Sequence, residues 1–184
     1  MSTKVITGLV RFSYAHVWEP QAINDGDDKK YSVSLIIPKS DKKTIKAIMD
    51  AIEEAKEEGR LSKFKGKVPA KLKTPLRDGD EERPDDEAYA NSYFVNATSF
   101  NKPGIVDRDI NPILDRDEFY SGCYGRASIT FYPFNANGNI GVACGLNHIQ
   151  KLKDGEPLSG RSTPEKDFGD LEYDFEDDEY DILG

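Results

Sequence analysis

The residues crowded enough to suggest catalysis in this chain are carboxylates. Asp107, Asp109, Asp115, Asp117 and Glu118 fall within one short segment, and clustered carboxylates can hold a divalent cation that activates water. Arg108 and Arg116 interleave with them, and the segment reads as a loop, so a structural or solvated role is the first expectation. The catalytic alternative is a carboxylate-metal nuclease acting on DNA junctions or flaps, with magnesium-dependent activity lost in Asp107→Ala or Asp115→Ala. Nothing else points to an enzyme. There is no nucleophile elbow, no glycine loop gripping phosphate ahead of a helix, and no His-Glu-x-x-His. His16 and His148 lack neighbouring ligand residues, and Cys123 and Cys144 form no Cys-x-x-Cys pair. Two buried reduced thiols, no cofactor, no metal and no catalytic residue are therefore expected.

Binding chemistry is better supplied. A single nucleic-acid strand asks for cations that meet phosphates and aromatic faces on which bases stack, each stacked base contributing roughly 1–3 kcal/mol. Tyr124, Arg126 and Tyr132 alternate along one segment, and Lys71, Lys73 and Arg77 lie in a cationic stretch without acids. Trp18 is a further stacking candidate. Phe94 and Phe100 are others, although the core is the expected place for both. Such stacking tolerates any sequence, because every base has a π-face.

The segment carrying the aromatics reads as a β-hairpin. From Tyr124 to Tyr132 the chain alternates with period two, sending Ala127, Ile129 and Phe131 to one face and Tyr124, Arg126, Ser128, Thr130 and Tyr132 to the other. Asn137-Gly138 supplies the positive φ angles of a tight turn. The return strand alternates Ile140, Val142, Cys144 and Leu146 with Gly141, Ala143 and Gly145. A greasy face backs a Tyr/Arg face beside a smooth glycine strip, which suits a flat ligand. An ordinary solvent face beside a barrel corner is the plain alternative.

Other strands are expected at Lys4–Tyr14, Tyr31–Ile37 and Tyr93–Phe100, with a short last one at His148–Leu152. After the first of these strands, His16, Trp18 and Pro20 begin a loop. One helix follows Ser40 or Asp41, with Ile45, Ile48, Met49, Ile52 and Ala55 at helical spacing and Gly59 at its end. In the irregular segment before the hairpin, Pro112, Ile113 and Leu114 are expected against the barrel. About five or six antiparallel strands and one helix give a mainly β fold, an OB-fold-like antiparallel five-stranded barrel. The expected division is a barrel domain over 1–152 with a long charged loop at 59–90, a linker at 153–164 and a disordered acidic tail at 165–184.

Charge is distributed unevenly. The net charge of −9 equals that of the tail alone, where ten carboxylates face the single base Lys166. The remaining body is formally neutral. Phe175, Tyr180, Ile182 and Leu183 are set among the acids, so the tail can mimic a phosphodiester strand in a basic groove and, once displaced, bind other proteins. No apolar run reaches membrane-spanning length and no secretory signal is recognisable, so a cytoplasmic protein with no membrane contact is expected.

Three stretches carry a family resemblance: Thr74-Pro75-Leu76-Arg77-Asp78-Gly79-Asp80, Tyr120-Ser121-Gly122-Cys123-Tyr124-Gly125-Arg126-Ala127, and Gly145-Leu146-Asn147-His148-Ile149-Gln150-Lys151 with Leu158-Ser159-Gly160-Arg161. The chain resembles, from Arg11 to about Phe168, a bacteriophage and prophage family of single-stranded-DNA-binding proteins once carried as a domain of unknown function. The resemblance implies an oligonucleotide-binding barrel similar to the DNA-binding protein of short-tailed coliphages, acting in phage replication or recombination within the bacterial host. Tails of bacterial single-strand binders end in a proline-phenylalanine pair, whereas Asp181-Ile182-Leu183-Gly184 closes this sequence. A phage-specific partner, or self-association as a homodimer, is therefore expected in place of the host's tail-docking proteins. A virion structural protein, with no DNA affinity and large stable assemblies, is a third reading.

Overall fold

The structure, a computed structural model, describes residues 3–22, 26–69, 72–158 and 168. Its strands, in chain order, are β1 (Lys4–Ile6), β2 (Val10–Gln21), β3 (Lys30–Pro38), β4 (Arg77–Asp78), β5 (Ser92–Ser99), β6 (Gly104–Val106), β7 (Tyr124–Ala136) and β8 (Asn139–Lys153). The helices are α1 (Lys42–Leu61) and the single turn α2 (Gly79–Glu82). The strands belong to one sheet of order β1-β7-β2-β3-β5-β8-β6, with β4 alongside β5. Because β7 also pairs with β8, the path β2-β3-β5-β8-β7 returns on itself as a ring of five strands. That mainly β, OB-fold-like arrangement matches the expected class, but eight strands replace five or six. Two pairings, β5 with β8 and β6 with β8, are parallel rather than antiparallel.

The hairpin forms as its alternation dictates. Ala127, Ile129, Phe131, Val142, Cys144 and Leu146 are all buried. Asn137 and Gly138 take φ of 53° and 88°, the doubly left-handed turn whose twist matches the flanking strands. The return strand is longer than expected, since His148–Leu152 continues β8. A bulge lets it do so: Ser128 faces His148 but Ile129 faces Leu146, which leaves Asn147 extra. Both cysteines are free and buried.

The helix begins where a cap was expected, with Thr44 N–H donating to the Asp41 carboxylate at 3.1 Å. Ile45, Ile48, Ala51, Ile52 and Ala55 are buried, and Met49, one position off that stripe, is 46% exposed. Gly59 lies inside the last turn rather than ending it. Its missing side chain leaves room for the buried Phe64 ring.

Three strand expectations need correction. Lys4–Tyr14 is broken at Thr7-Gly8-Leu9, so Val5 is buried and Ile6 is exposed, the reverse of a single unbroken alternation. Past Tyr14, β2 continues to Gln21 through irregular pairing with β3, so His16, Trp18 and Pro20 lie in a strand and not a loop. Between residues 107 and 118, Ile113 is buried as expected but Leu114 is exposed.

Candidate nucleic-acid interface

Side-chain hydrogen bonds link the two strands across the hairpin's outer face. Asn147, the bulged residue, donates to Thr130 Oγ1 at 2.9 Å and Ser128 Oγ at 3.4 Å. Tyr132 is 40% exposed, and its ring lies over Gly145, where a Cβ would sit 3.4 Å from Cε1. The glycine strip thus gives this aromatic a floor, and the burial it provides pushes the phenol upward, keeping it protonated. Arg126 is exposed but its Nε donates to the Thr7 carbonyl at 3.1 Å.

The cationic loop partly reaches this face. The Lys73 carbonyl accepts from Val142 N–H at 2.9 Å, and Lys73 pairs in parallel with Gly141. Lys73 therefore stands beside the strand that carries Tyr132's partner, Ala143. Arg77 goes elsewhere, pairing with Phe94 in β5 and with the Glu82 carboxylate at 2.9 Å. Lys71 and the tail residues Phe175, Tyr180, Ile182 and Leu183 lie outside the described residues.

Tyr124 and Trp18 are already engaged. Arg11 and Lys153 lie over the Tyr124 ring at 5.3 and 4.8 Å. Arg11 also donates to the carbonyls of Gly122 at 3.0 Å and Glu156 at 2.7 Å. Together with the bond from Leu158 N–H to the Ser121 carbonyl at 2.9 Å, these contacts bind residues 154–158 along the barrel as a strap. Lys151 pairs with Asp154 at its root and holds that carboxyl below the usual aspartate range. Trp18 gives its indole N–H to the Phe119 carbonyl at 3.0 Å and packs half-buried on the core, with Lys102 5.3 Å over its ring.

A second face, on the outside of β2, β3 and β5, is furnished by residues that sequence reasoning passed over. At one end Tyr14 is 50% exposed and holds φ +46° at the β2 irregularity. Such a backbone is uncommon for a bulky residue and turns the ring outward from the regular alternation. The Arg83 guanidinium lies 5.2 Å over Tyr14, 5.3 Å over Tyr89 and 5.7 Å over Phe94, and donates to the Tyr14 hydroxyl at 3.3 Å. Ile36, Tyr89 and Phe94 form a small apolar cluster beneath, and Tyr89 donates its hydroxyl to Ser34 at 3.0 Å. Phe94 is buried there, on the opposite side of the sheet from the main core.

What places Arg83 is an ionic clamp. Lys39 reaches both Asp78 at 2.9 Å and Asp80 at 2.8 Å, and Asp80 also accepts from Asn91 N–H at 3.0 Å. Hydrogen bonds to the two carboxylates raise the Lys39 ammonium above the usual lysine range and, with Asn91, lower Asp80. Both ends of the 78–91 segment are thereby fixed to β3 and β5.

At the other end Phe100 is 63% exposed, with Lys30 4.7 Å over its ring. It does not join the core as expected, because β5 ends at Ser99 and releases it. Between the two ends, His16 pairs with Ser32 and Ser32 with Thr98, a row of polar side chains across three strands. From Phe94 to Phe100 the chain advances about 20 Å at the ordinary strand rise. Two exposed, cation-backed aromatics therefore bracket a polar floor. Arg83 is hidden in the sequence because it is a lone cation among the acids of Asp78–Glu87.

The clustered carboxylates do something local. Asp107 accepts from the backbone of Asp109 and Asn111, both at 2.9 Å, and Asp115 from Asp117 N–H at 2.8 Å. Among the described residues no group of three His, Cys, Asp or Glu side chains is placed to hold a metal ion.

The family model described as "Enterobacter phage Enc34, ssDNA-binding protein" matches residues 3–181. Protein p50 of Acyrthosiphon pisum secondary endosymbiont phage 1 is 29% identical over 175 residues, covering 91% of this chain and 94% of that one. Among solved structures, the single-stranded DNA-binding protein of bacteriophage Enc34 in complex with ssDNA superposes with a TM-score of 0.75 at 26% identity, over 85% of this chain and 90% of the other. Bacteriophage T7 gp2.5, a single-stranded DNA binding protein, shares the fold with a TM-score of 0.61 at 15% identity, over 95% and 97% of the two chains. Its extent leaves no ambiguity about the match: the chain belongs to the family of the Enterobacter phage Enc34 ssDNA-binding protein.

Proposed function

We propose that this protein binds single-stranded DNA without catalysing a reaction, and that the strand crosses the outer face of β2, β3 and β5. The observation that carries this reading is the pair of exposed aromatics, Tyr14 with Arg83 and Phe100 with Lys30, at the two ends of the His16-Ser32-Thr98 row. Stacking on those rings is tolerant of sequence, the cations meet phosphates, and the span suits the low end of the ~4–16 nucleotides that one OB fold covers. Membership of a family named for ssDNA binding supports the ligand class. The hairpin face with Tyr132, Arg126 and Lys73 is a second place for the strand, favoured by the glycine floor under Tyr132.

The acidic tail regulates access in this reading. Leu158, at the end of the strap, lines a cavity with Tyr14, His16 and Asp86, so the chain sets out toward its carboxylates from the edge of the proposed DNA path. There the tail competes with DNA, and when displaced it offers Phe175, Tyr180, Ile182 and Leu183 to replication or recombination proteins of the phage or to a second copy. The setting is the host cytoplasm. Among the described residues no helix is long and apolar enough to cross a membrane.

Fluorescence anisotropy of a labelled oligothymidine tests the whole, with full-length protein beside a chain ending at Thr163 and duplex DNA as competitor. Tight binding that duplex competes for poorly, and that strengthens on truncation, is expected. Binding unchanged by truncation removes the tail from the groove. No binding by either chain overturns the function.

A further inference from the structure

The Phe100 end of the second face is more than a stacking edge. An open cavity of about 290 Å³ lies there, lined by Asp27, Asp28, Lys30, Ser32, Thr98 and Phe100 among others. One wall is aromatic, one side is anionic, and the floor carries two hydroxyls. Two carboxylates are out of place in a surface that only attracts phosphates, because they repel the backbone that the neighbouring lysine draws in. Their placement in a base-sized recess with an aromatic wall gives them a different task.

We propose that this cavity receives one unstacked base against Phe100 and selects guanine over thymine. The inference rests on the ssDNA-binding reading above. An ionised carboxylate only accepts hydrogen bonds. Guanine presents N1–H and the N2 amino group side by side on its Watson–Crick edge, two donors matched to Asp27 or Asp28, and O6 and N7 as acceptors for the Lys30 ammonium. Cytosine and adenine offer one amino group each. Thymine offers a single N3–H between two carbonyl oxygens, which face the carboxylates unfavourably. The protein thus combines tolerant stacking along most of its path with one discriminating position.

The experiment compares full-length protein on labelled dT12 with the same oligonucleotide carrying one central dG, dI, dA, dC or dT, since sliding brings the odd base to the cavity. A tightening of about tenfold for dG over dT is expected, within the range that one good bidentate base contact gives. Inosine, which lacks the N2 amino group, falls between them. In the Asp27→Ala/Asp28→Ala double variant, dT12 is still bound and the dG-to-dT ratio collapses to one. Equal affinity for dG and dT oligonucleotides in the native protein, or a ratio that survives the double substitution, overturns the cavity's role while leaving ssDNA binding intact. Failure to bind any of these oligonucleotides overturns the ssDNA reading and the cavity inference with it.

Discussion

At the scale of single residues, the proposed DNA path reduces to which aromatic ring meets a base. Tyr14→Ala removes the exposed ring but leaves Arg83 on Tyr89 and Phe94. It is expected to weaken oligothymidine binding by about 1–3 kcal/mol, as loss of one stacking platform does. Arg83→Ala acts on the same contact, so the double variant should lose little more than either single one. If Tyr132→Ala costs more than Tyr14→Ala in the same anisotropy titration, the strand runs over the hairpin instead. Period two announced the outward face of Tyr132, whereas the exposure of Tyr14 was not legible because an irregularity in β2 changes which side its ring takes. Buried, reduced thiols were expected because Cys123 and Cys144 form no Cys-x-x-Cys pair, and both are buried and free. Burial raises Cys123 and pushes Cys144 higher still, and the thiolate is the reactive form. Iodoacetamide at neutral pH should therefore label neither until denaturant is added, with mass spectrometry as the readout.

At the scale of elements, local patterns were readable where neighbours along the chain decide the structure. The capped helix and the Asn137-Gly138 hairpin depend on spacing and turn chemistry alone. The extension of β2, the shortness of β6 and the two parallel pairings depend on strands that arrive from far along the chain, so no local period encodes them. Glycines show the same divide. At Gly138 a Cβ would meet open space and only the φ of +88° resists substitution, whereas at Gly125 it would strike the Gln150 carbonyl of the facing strand. Gly125→Ala forces β7 and β8 apart and should cost more than the roughly 1–3 kcal/mol of ordinary overpacking, because backbone cannot rotate away. Gly138→Ala should cost only about 1 kcal/mol, the penalty of a left-handed alanine. Urea denaturation midpoints of the two variants decide the order.

At the scale of the whole molecule, the division of charge was the clearest message in the sequence, and its consequence is an ionic-strength effect. In the proposed reading, a neutral body joined to a tail of ten carboxylates sets two salt-sensitive contacts against each other, groove with DNA and groove with tail. Added salt weakens both, so the full-length chain should show a shallower fall of log K with log salt than the chain ending at Thr163. Equal slopes in anisotropy titrations would show that the tail does not occupy the groove. The closed ring has a consequence of another kind, for how the protein is made. Its seam joins strands distant in the chain: Arg11 in β2 holds Gly122, 111 residues away, at the entrance to β7. During synthesis the ribosome must deliver β7 and β8 before the seam can shut, and until then the β2 edge and the Ala97–Thr98 edge of β5 are unpaired and half the core is open to solvent. Loop closure of that length makes folding slow, in the millisecond-to-second range of barrel topologies. A nascent chain stalled before residue 124 is a substrate for chaperones rather than a smaller version of the protein.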